Sequence, residues 1–270
     1  METIIRPIIG FNFEYFKNDL LGDYSISSGN EWEPHITSFV KLYNSFFSIE
    51  NIIDIGANFG YHTICFSKCA KGHVIAFEPQ QQNFELLERN VKHNNVNNVI
   101  LYKFACGDEN CDVKMPFIEN PTTMINMGDI TPNVLVNDQF TVTQSIILDE
   151  FELPSKIDLI KIDVQGWEKK VLSGANKLLS AHKPILIVEF EYFQLAKTNT
   201  TCADLFEFIR SKNYYIFYLE YKYPSDHVCV HNDHLTEFRS KFQGYIFPHV
   251  TDNNVNNNIV HNVTEKLVMS

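Results

Sequence analysis

The chain has 270 residues, enough for one large α/β domain or two small ones. Its 44 % hydrophobic and 20 % charged content is that of an ordinary soluble globular protein, and no apolar run approaches the roughly 20 residues of a membrane helix. A net charge of −11 without any Lys/Arg cluster argues against a nucleic-acid partner and against an anionic membrane surface.

The opening stretch METIIRPIIGFNF lacks a basic start, an apolar core and a small-residue cleavage site, so no signal peptide is expected. The 6 cysteines form neither a disulfide framework nor a zinc pattern. Cys65 and Cys69 are four apart on one predicted helix, and Cys106 with Cys111 lacks a second ligand pair. They read as reduced thiols of an intracellular, cytoplasmic protein.

Residues 1–50 read as a helical and aromatic segment packing on the core. Phe11, Phe13, Tyr15 and Phe16 form an aromatic cluster, Gly22-Asp23-Tyr24 a turn, and His35–Phe47 carries apolar residues at helical spacing. Residues 51–250 form the main domain. Asn51–Ile55 is a short β-branched run, Gly56-Ala57-Asn58-Phe59-Gly60 a glycine loop, and Tyr61–Ala70 a helix stopped by Lys71-Gly72. His73–Phe77 is a second apolar run, ending in Glu78-Pro79.

Strand, glycine loop, helix, strand and carboxylate together describe a site for a nucleoside-bearing cofactor. Glycines let backbone approach the ligand, and Glu78 is placed to accept hydrogen bonds from both ribose hydroxyls. A dinucleotide site wants G-x-G-x-x-G and a bare helix N-terminus for the pyrophosphate. Here Asn58 replaces the second glycine, and Asp54 precedes the first. An acid there repels a pyrophosphate but suits a cofactor with an ammonium group and no phosphate, which describes S-adenosylmethionine (SAM).

Further along, Gln80–His93 is a helix, Val99–Phe104 a third strand, and Ala105-Cys106-Gly107-Asp108 the loop after it. Residues 111–147 read as an inserted β-hairpin or arm, with Met124–Met127 and Gly128 as a loop beside the substrate cleft. Ile157–Asp163 is the fourth strand, Glu168–Ser180 a helix, and Pro184–Glu191 a fifth strand buried on both faces. Cys202–Lys212 is a helix and Tyr214–Leu219 a sixth strand. Tyr221–Phe242 reads as irregular, with the last strand at Gly244–Pro248, and residues 251–270 as an Asn-rich tail. In such sheets ligands bind outside the carboxyl ends of the strands. Asp54, Glu78, Asp163 and Glu189 are therefore expected to face one crevice.

The loop D-I-G-A-N-F-G with its following F-E-P resembles motif I of the FkbM family of SAM-dependent methyltransferases. The stretch DLIKIDVQGWEKKVLSGA, Asp158–Ala175, resembles the family's second signature, D-L-I-K-I-D-V-E-G-x-E and L-x-G-A. Gln165 stands where that signature has Glu; it keeps an acceptor oxygen but cannot act as a base. The resemblance implies a Rossmann-like class I methyltransferase fold: a seven-stranded, mostly parallel sheet with helices on both faces. It also implies SAM contacts from Gly56, Ala57, Asn58, Gly60, Glu78 and Pro79, and places Ala105 and Cys106 near the adenine, with Cys106 as a small wall residue; Asp108 either hydrogen-bonds the adenine amino group or is a turn residue. Trp32 and Glu33 either cover the methionine end of SAM or form an N-cap and surface turn.

The implied activity is O-methylation of a hydroxyl, on a sugar, glycan or other small molecule. An oxygen acceptor calls for a general base or a metal. Asp163 is the first candidate base, or else the partner of the SAM ammonium. Glu189 is the second, with Glu168, Glu191 and His62 behind, although Glu168 fits better as a brace of its own helix. Asp163 with Glu189 or Glu191 holding a divalent metal is an alternative, as are N-methylation of a small amine and a non-catalytic partner protein. His231-Asn232-Asp233-His234 reads as a solvated loop rather than a metal site. The oligomeric state is open.

Overall fold

The computed structural model describes residues 1–8, 10–119, 126–135, 138–219, 225–243 and 245. A β-hairpin comes first, β1 (Thr3–Ile8) with β2 (Phe11–Phe16), followed by a short π-helical turn, Leu20–Ser25, and helix α1 (Pro34–Phe47). Then follow β3 (Ile52–Ile55), α2 (Tyr61–Ser67), β4 (Val74–Phe77), α3 (Gln81–His93), β5 (Val99–Tyr102), β6 (Phe104–Cys106), β7 (Cys111–Pro116) and β8 (Phe140–Ile146). The second half contains β9 (Leu159–Ile162), α4 (Glu168–Ser173), α5 (Asn176–His182), β10 (Ile185–Phe190), α6 (Tyr192–Lys197), α7 (Cys202–Ser211), β11 (Tyr214–Tyr218), β12 (Ser225–His231) and α8 (Asn232–Lys241).

The main sheet has seven strands in the order β11-β12-β10-β9-β3-β4-β5. All neighbours pair parallel except β12, which runs antiparallel to both β10 and β11. Every residue of β3, β4, β9 and β10 is buried, as their near-continuous apolar runs require of strands covered on both faces. Alternate side chains divide between the faces. Ile52 joins Ile36, Phe39 and Val40 of α1, Phe66 of α2 and Phe238 of α8, whereas Ile53 and Ile55 join Val171 of α4, Leu179 of α5 and Phe206 of α7. The chain leaves β3 toward one edge of the sheet and returns at β9 toward the other. The carboxyl ends of β3 and β9 therefore flank a topological switch point, where the crevice opens.

Several elements depart from the sequence reading. The stretch read as irregular after Tyr221 contains the antiparallel strand β12 and helix α8, so Ser225–His231 supplies the seventh strand of the described sheet. Residues 244, 246–248 and the tail lie outside the described residues. Two histidines and an aspartate make SDHVCVH look polar. Yet His227 is fully buried, and that burial pushes its pKa down to about 3, so it packs as a neutral ring against Phe190 and Tyr218. His231 ends this strand and caps α8, its Nδ1 accepting from the Asp233 N–H at 3.2 Å. The third strand leaves the main sheet at Lys103. Its continuation β6 lies parallel to β8, and β7 lies antiparallel on the other side of β8, in a separate three-stranded sheet.

The N-terminal hairpin was not legible either. Its strand β2 lies along α3, where Asn90 and Asn94, one helical turn apart, act as a surrogate strand. Asn90 accepts from the Glu14 N–H at 2.7 Å and donates to the Glu14 carbonyl at 2.8 Å; Asn94 does the same for Asn12 at 2.9 and 2.7 Å. These side-chain amides satisfy edge groups that would otherwise stay open.

The single helix expected over Glu168–Ser180 is broken into α4 and α5 at Gly174. There the chain passes so close to Gly107 that a Cβ on Gly174 would lie 1.9 Å from the Gly107 carbonyl oxygen. Gly174→Ala must push backbone apart in a buried contact. It should cost about 2–3 kcal/mol, and thermal denaturation should show a midpoint lowered by roughly 5 °C or more.

Candidate functional site

At the switch point lies a cavity of about 560 Å³, within the size range of small-molecule sites. Its floor begins with the glycine loop. Gly56 has φ 79°, and a Cβ there would sit 1.8 Å from the Asp163 carbonyl oxygen, so only glycine lets β3 and β9 end side by side. The Gly56 and Ala57 N–H groups donate to the Phe77 carbonyl at 3.0 and 3.1 Å, which ties the loop to the end of β4. Asn58 adopts a left-handed backbone, φ 51°, that directs its N–H to Glu78 Oε2 at 2.8 Å. The other oxygen of Glu78 accepts from the Gln80 N–H at 2.9 Å. Each carboxylate oxygen keeps a further lone pair, and Glu78 lines the cavity with Gly56, Asn58 and Pro79.

The adjoining wall is apolar: Phe104, Ala105, Cys106, Met115, Ile130 and Trp167. Burial pushes the Cys106 thiol well above its usual range, so it is an inert wall residue. The opposite end is acidic. Glu33, Asp163, Glu189, Glu191 and Asp226 line it together with Trp32, His35 and Gln165, and no Lys or Arg is among the described lining residues.

Beneath this end lies a buried charge network. Asp54 on β3 and Lys161 on β9 are direct register partners. Lys161 Nζ lies 3.9 Å from Asp54 Oδ1 and 3.2 Å from Asp163 Oδ2, and Asp54 Oδ2 accepts from Thr63 Oγ1 at 2.6 Å. Burial alone would lower the Lys161 pKa, but Asp163 and Asp54 reverse that and raise it. Burial would likewise raise Asp163, but Lys161 and the hydrogen bond from Gln165 outweigh it and hold Asp163 below its ordinary range. Glu189 has no such cation. Burial, then Asp163 and Asp226, lift its carboxyl well above the usual range. Asp226 is its register partner on β12, like charges placed opposite one another, and is also raised, mainly by burial. His35 relieves that pair by bonding Asp226 Oδ2 at 2.6 Å, and Glu33 bonds His62 Nε2 at 2.8 Å.

The structure thus brings Glu33, Gly56, Asn58, Glu78, Pro79, Ala105, Cys106, Asp163 and Glu189 to one cavity. Four expected residues lie elsewhere. Asp54 is fully buried under the cavity, ion-paired with Lys161 and hydrogen-bonded by Thr63 rather than offered to a ligand. Ala57 is held inside the loop, and Gly60 packs against Leu87, which a Cβ would meet at 2.5 Å. Asp108 is a surface residue paired with Lys170 at 3.7 Å. Glu168 braces its loop: Oε1 accepts from the Val164 and Gly166 N–H groups, both at 3.1 Å. Residues not singled out as site residues include Gln165, His35, Asp226 and Trp167. Gln165, in the second motif, carried a signal as the one departure from its pattern. Asp226 carried none, since its place depends on β12.

A seven-stranded sheet with one antiparallel strand, next to the last in order, and a glycine loop and acidic strand tip at its switch point, is the Rossmann-like class I methyltransferase fold. The chain belongs to the methyltransferase FkbM domain family, whose pattern matches residues 54–216. It is similar to the hexuronic acid methyltransferase AglP of Haloferax volcanii, 26 % identical over 138 residues that cover 50 % of this chain and 53 % of that protein. It is also similar to Methyltransferase 1 of Beauveria bassiana, 27 % identical over 144 residues that cover 46 % and 58 %. The chain therefore spans little more than half the length of these curated relatives. The crystal structure of methyltransferase FkbM from Methylobacillus flagellatus superposes with a TM-score of 0.48 at 18 % identity, covering 70 % of this chain and 48 % of that one. No helix among the described residues is long and apolar enough to cross a membrane.

Burial raises Glu168 from an ordinary 4.5 to about 7. The folded chain therefore keeps a proton that the unfolded chain loses between these values. Stability from this group falls as pH rises through the window, and the penalty is complete above it. Glu78, also raised to about 7 with burial as its main cause, acts in the same direction. Glu168→Gln retains an acceptor for both N–H groups and cannot ionise. Urea unfolding at about pH 5 and about pH 8 should show a smaller loss of stability at the higher pH than in the parent chain.

Proposed function

We propose that this chain is a SAM-dependent O-methyltransferase acting on a hydroxyl of a neutral sugar, glycan or similar polyol. The observation that carries it is Glu78. A buried carboxylate at the tip of β4 faces the cavity with one N–H on each oxygen, leaving acceptor capacity matched to a pair of ribose hydroxyls. The apolar wall of Phe104, Ala105, Cys106 and Trp167 suits an adenine, and the cavity then runs on to the acidic end, where an ammonium finds Glu33. Bound there, SAM supplies a methyl group already activated on a sulfonium.

The protein's own task is to hold the acceptor oxygen in line with that methyl group and to take its proton. Asp163 is ionised, fixed by Lys161 and Gln165, and lines the cavity, so it receives the hydroxyl proton. Glu189 is held beside it through Gln165. The acidic wall and the net charge of −11 disfavour a polyanionic acceptor such as nucleic acid. The same acidity favours one other reading, N-methylation of a small amine. An intracellular site of action fits the absence of a disulfide pattern among the cysteines.

Calorimetric titration should give micromolar SAM binding that Glu78→Ala abolishes and that NAD does not show. With a hydroxyl acceptor, Asp163→Asn should lower turnover by about 10²–10⁴-fold while SAM still binds. An unchanged rate with SAM binding intact would reject the base role and favour an amine acceptor.

A further inference from the structure

Gln165 lies between Asp163, which is paired with Lys161 at 3.2 Å, and Glu189, which has no ion pair among the described residues. Its Nε2 donates to Asp163 Oδ1 at 2.8 Å and to Glu189 Oε2 at 3.0 Å, using one amide hydrogen for each. The orientation follows from chemistry, because an amide oxygen turned toward an ionised Asp163 finds no hydrogen there. The backbone is held from both sides. Gln165 sits at φ 53° and its carbonyl accepts from Thr131 Oγ1 at 2.7 Å, while Glu168 takes the N–H groups of Val164 and Gly166. A Cβ on Gly166 would lie 2.2 Å from the Gln194 carbonyl oxygen, so the loop cannot shift toward α6.

We infer that Gln165 is a positioning residue that takes the place of a bridging cation between Asp163 and Glu189, so that this centre orders its carboxylates with an amide rather than with a chelated divalent metal. A nitrogen within hydrogen-bond reach of an oxygen on each carboxylate occupies the point from which a hard cation would bind both. The metal-holding alternative for Asp163 and Glu189 is thereby displaced. Replacing the amide by a third carboxylate removes the donor and adds a charge, which is the change that creates demand for a cation. The bridge stands on geometry alone; its use in methyl transfer rests on the proposed function.

The test uses the full chain and needs no acceptor. Mn²⁺, Ca²⁺ and Mg²⁺ are added separately to wild type and to Gln165→Glu, and binding is followed by calorimetry and thermal denaturation. Wild type should show no heat at this site and no change in SAM affinity with or without EDTA. Gln165→Glu should gain Mn²⁺ or Ca²⁺ binding with a midpoint rise of about 3 °C or more at saturation, lost again when Glu189→Gln is added. Wild-type binding that Glu189→Gln removes, or no gain in a folded Gln165→Glu, overturns the inference.

Gln165→Met keeps the decision open should the Glu variant not fold. The charged groups facing the pair are Lys161, Glu33, His62, Glu168 and Asp226. Loss of the donor should cost more stability at about pH 8, where more of these carboxyls are ionised, than at about pH 5. An equal loss at both values means a packing role only and overturns the inference. Failure of SAM binding in wild type, with the metal results as expected, would count against the proposed function and not against the bridge.

Discussion

The buried ammonium of Lys161 is the constraint around which the site is built. It stands on a central strand, 2 % exposed, between Asp54 on the neighbouring strand and Asp163 at the tip of its own. A lone charge at this depth would be too costly to keep. Removing one partner of a buried pair typically costs about 3–5 kcal/mol, because the remaining charge is stranded. The three groups therefore stabilise one another only in one register of β3 against β9. That register brings Gly56 beside the Asp163 carbonyl and opens the cavity at that point.

From this network the charge states of the cavity follow outward. Asp163 borrows the positive field and stays ionised. Glu189, one strand further, has only an amide, and its carboxyl is raised. Asp226, a strand beyond that, is balanced by His35 from the start of α1. Neighbouring carboxylates thus shift in opposite directions: burial dominates at Glu189 and Asp226, whereas Lys161 and Gln165 outweigh it at Asp163. The described wall carries no Lys or Arg beside these acids.

Around the core, side-chain amides do work usually assigned to backbone. Asn90 and Asn94 complete the edge of β2, Asn83 donates to the Met127 carbonyl at 2.9 Å, and Asp19 receives the Met127 N–H at 2.9 Å. The asparagine bonds attach the N-terminal hairpin and the Asn126–Pro132 stretch to the same helix α3 and its C-cap, and the Asp19 carboxylate adds a tie between Met127 and the segment after the hairpin. Of the two attached segments, the Asn126–Pro132 stretch lines the cavity. Composition alone shows many asparagines and nothing of this use.

Periodicity and motif carried the core, because buried parallel strands are apolar throughout and glycine loops mark close backbone approach. Hence β3, β4, β9 and β10, the Gly56 turn and the tips at Glu78, Asp163 and Glu189 were legible in order along the chain. A strand whose polar residues are buried was not legible, and β12 with Asp226 was therefore missed. Which acids face the cavity was likewise a tertiary outcome. Asp54 and Asp163 look equivalent in sequence, one before a glycine and one at a strand end. Only the pleat and the Asp54–Lys161 register turn Asp54 into the core and leave Asp163 at the opening. Local pattern determines which segments become strands and loops. The pairing of distant strands decides where each charge points, because that depends on partners more than a hundred residues away.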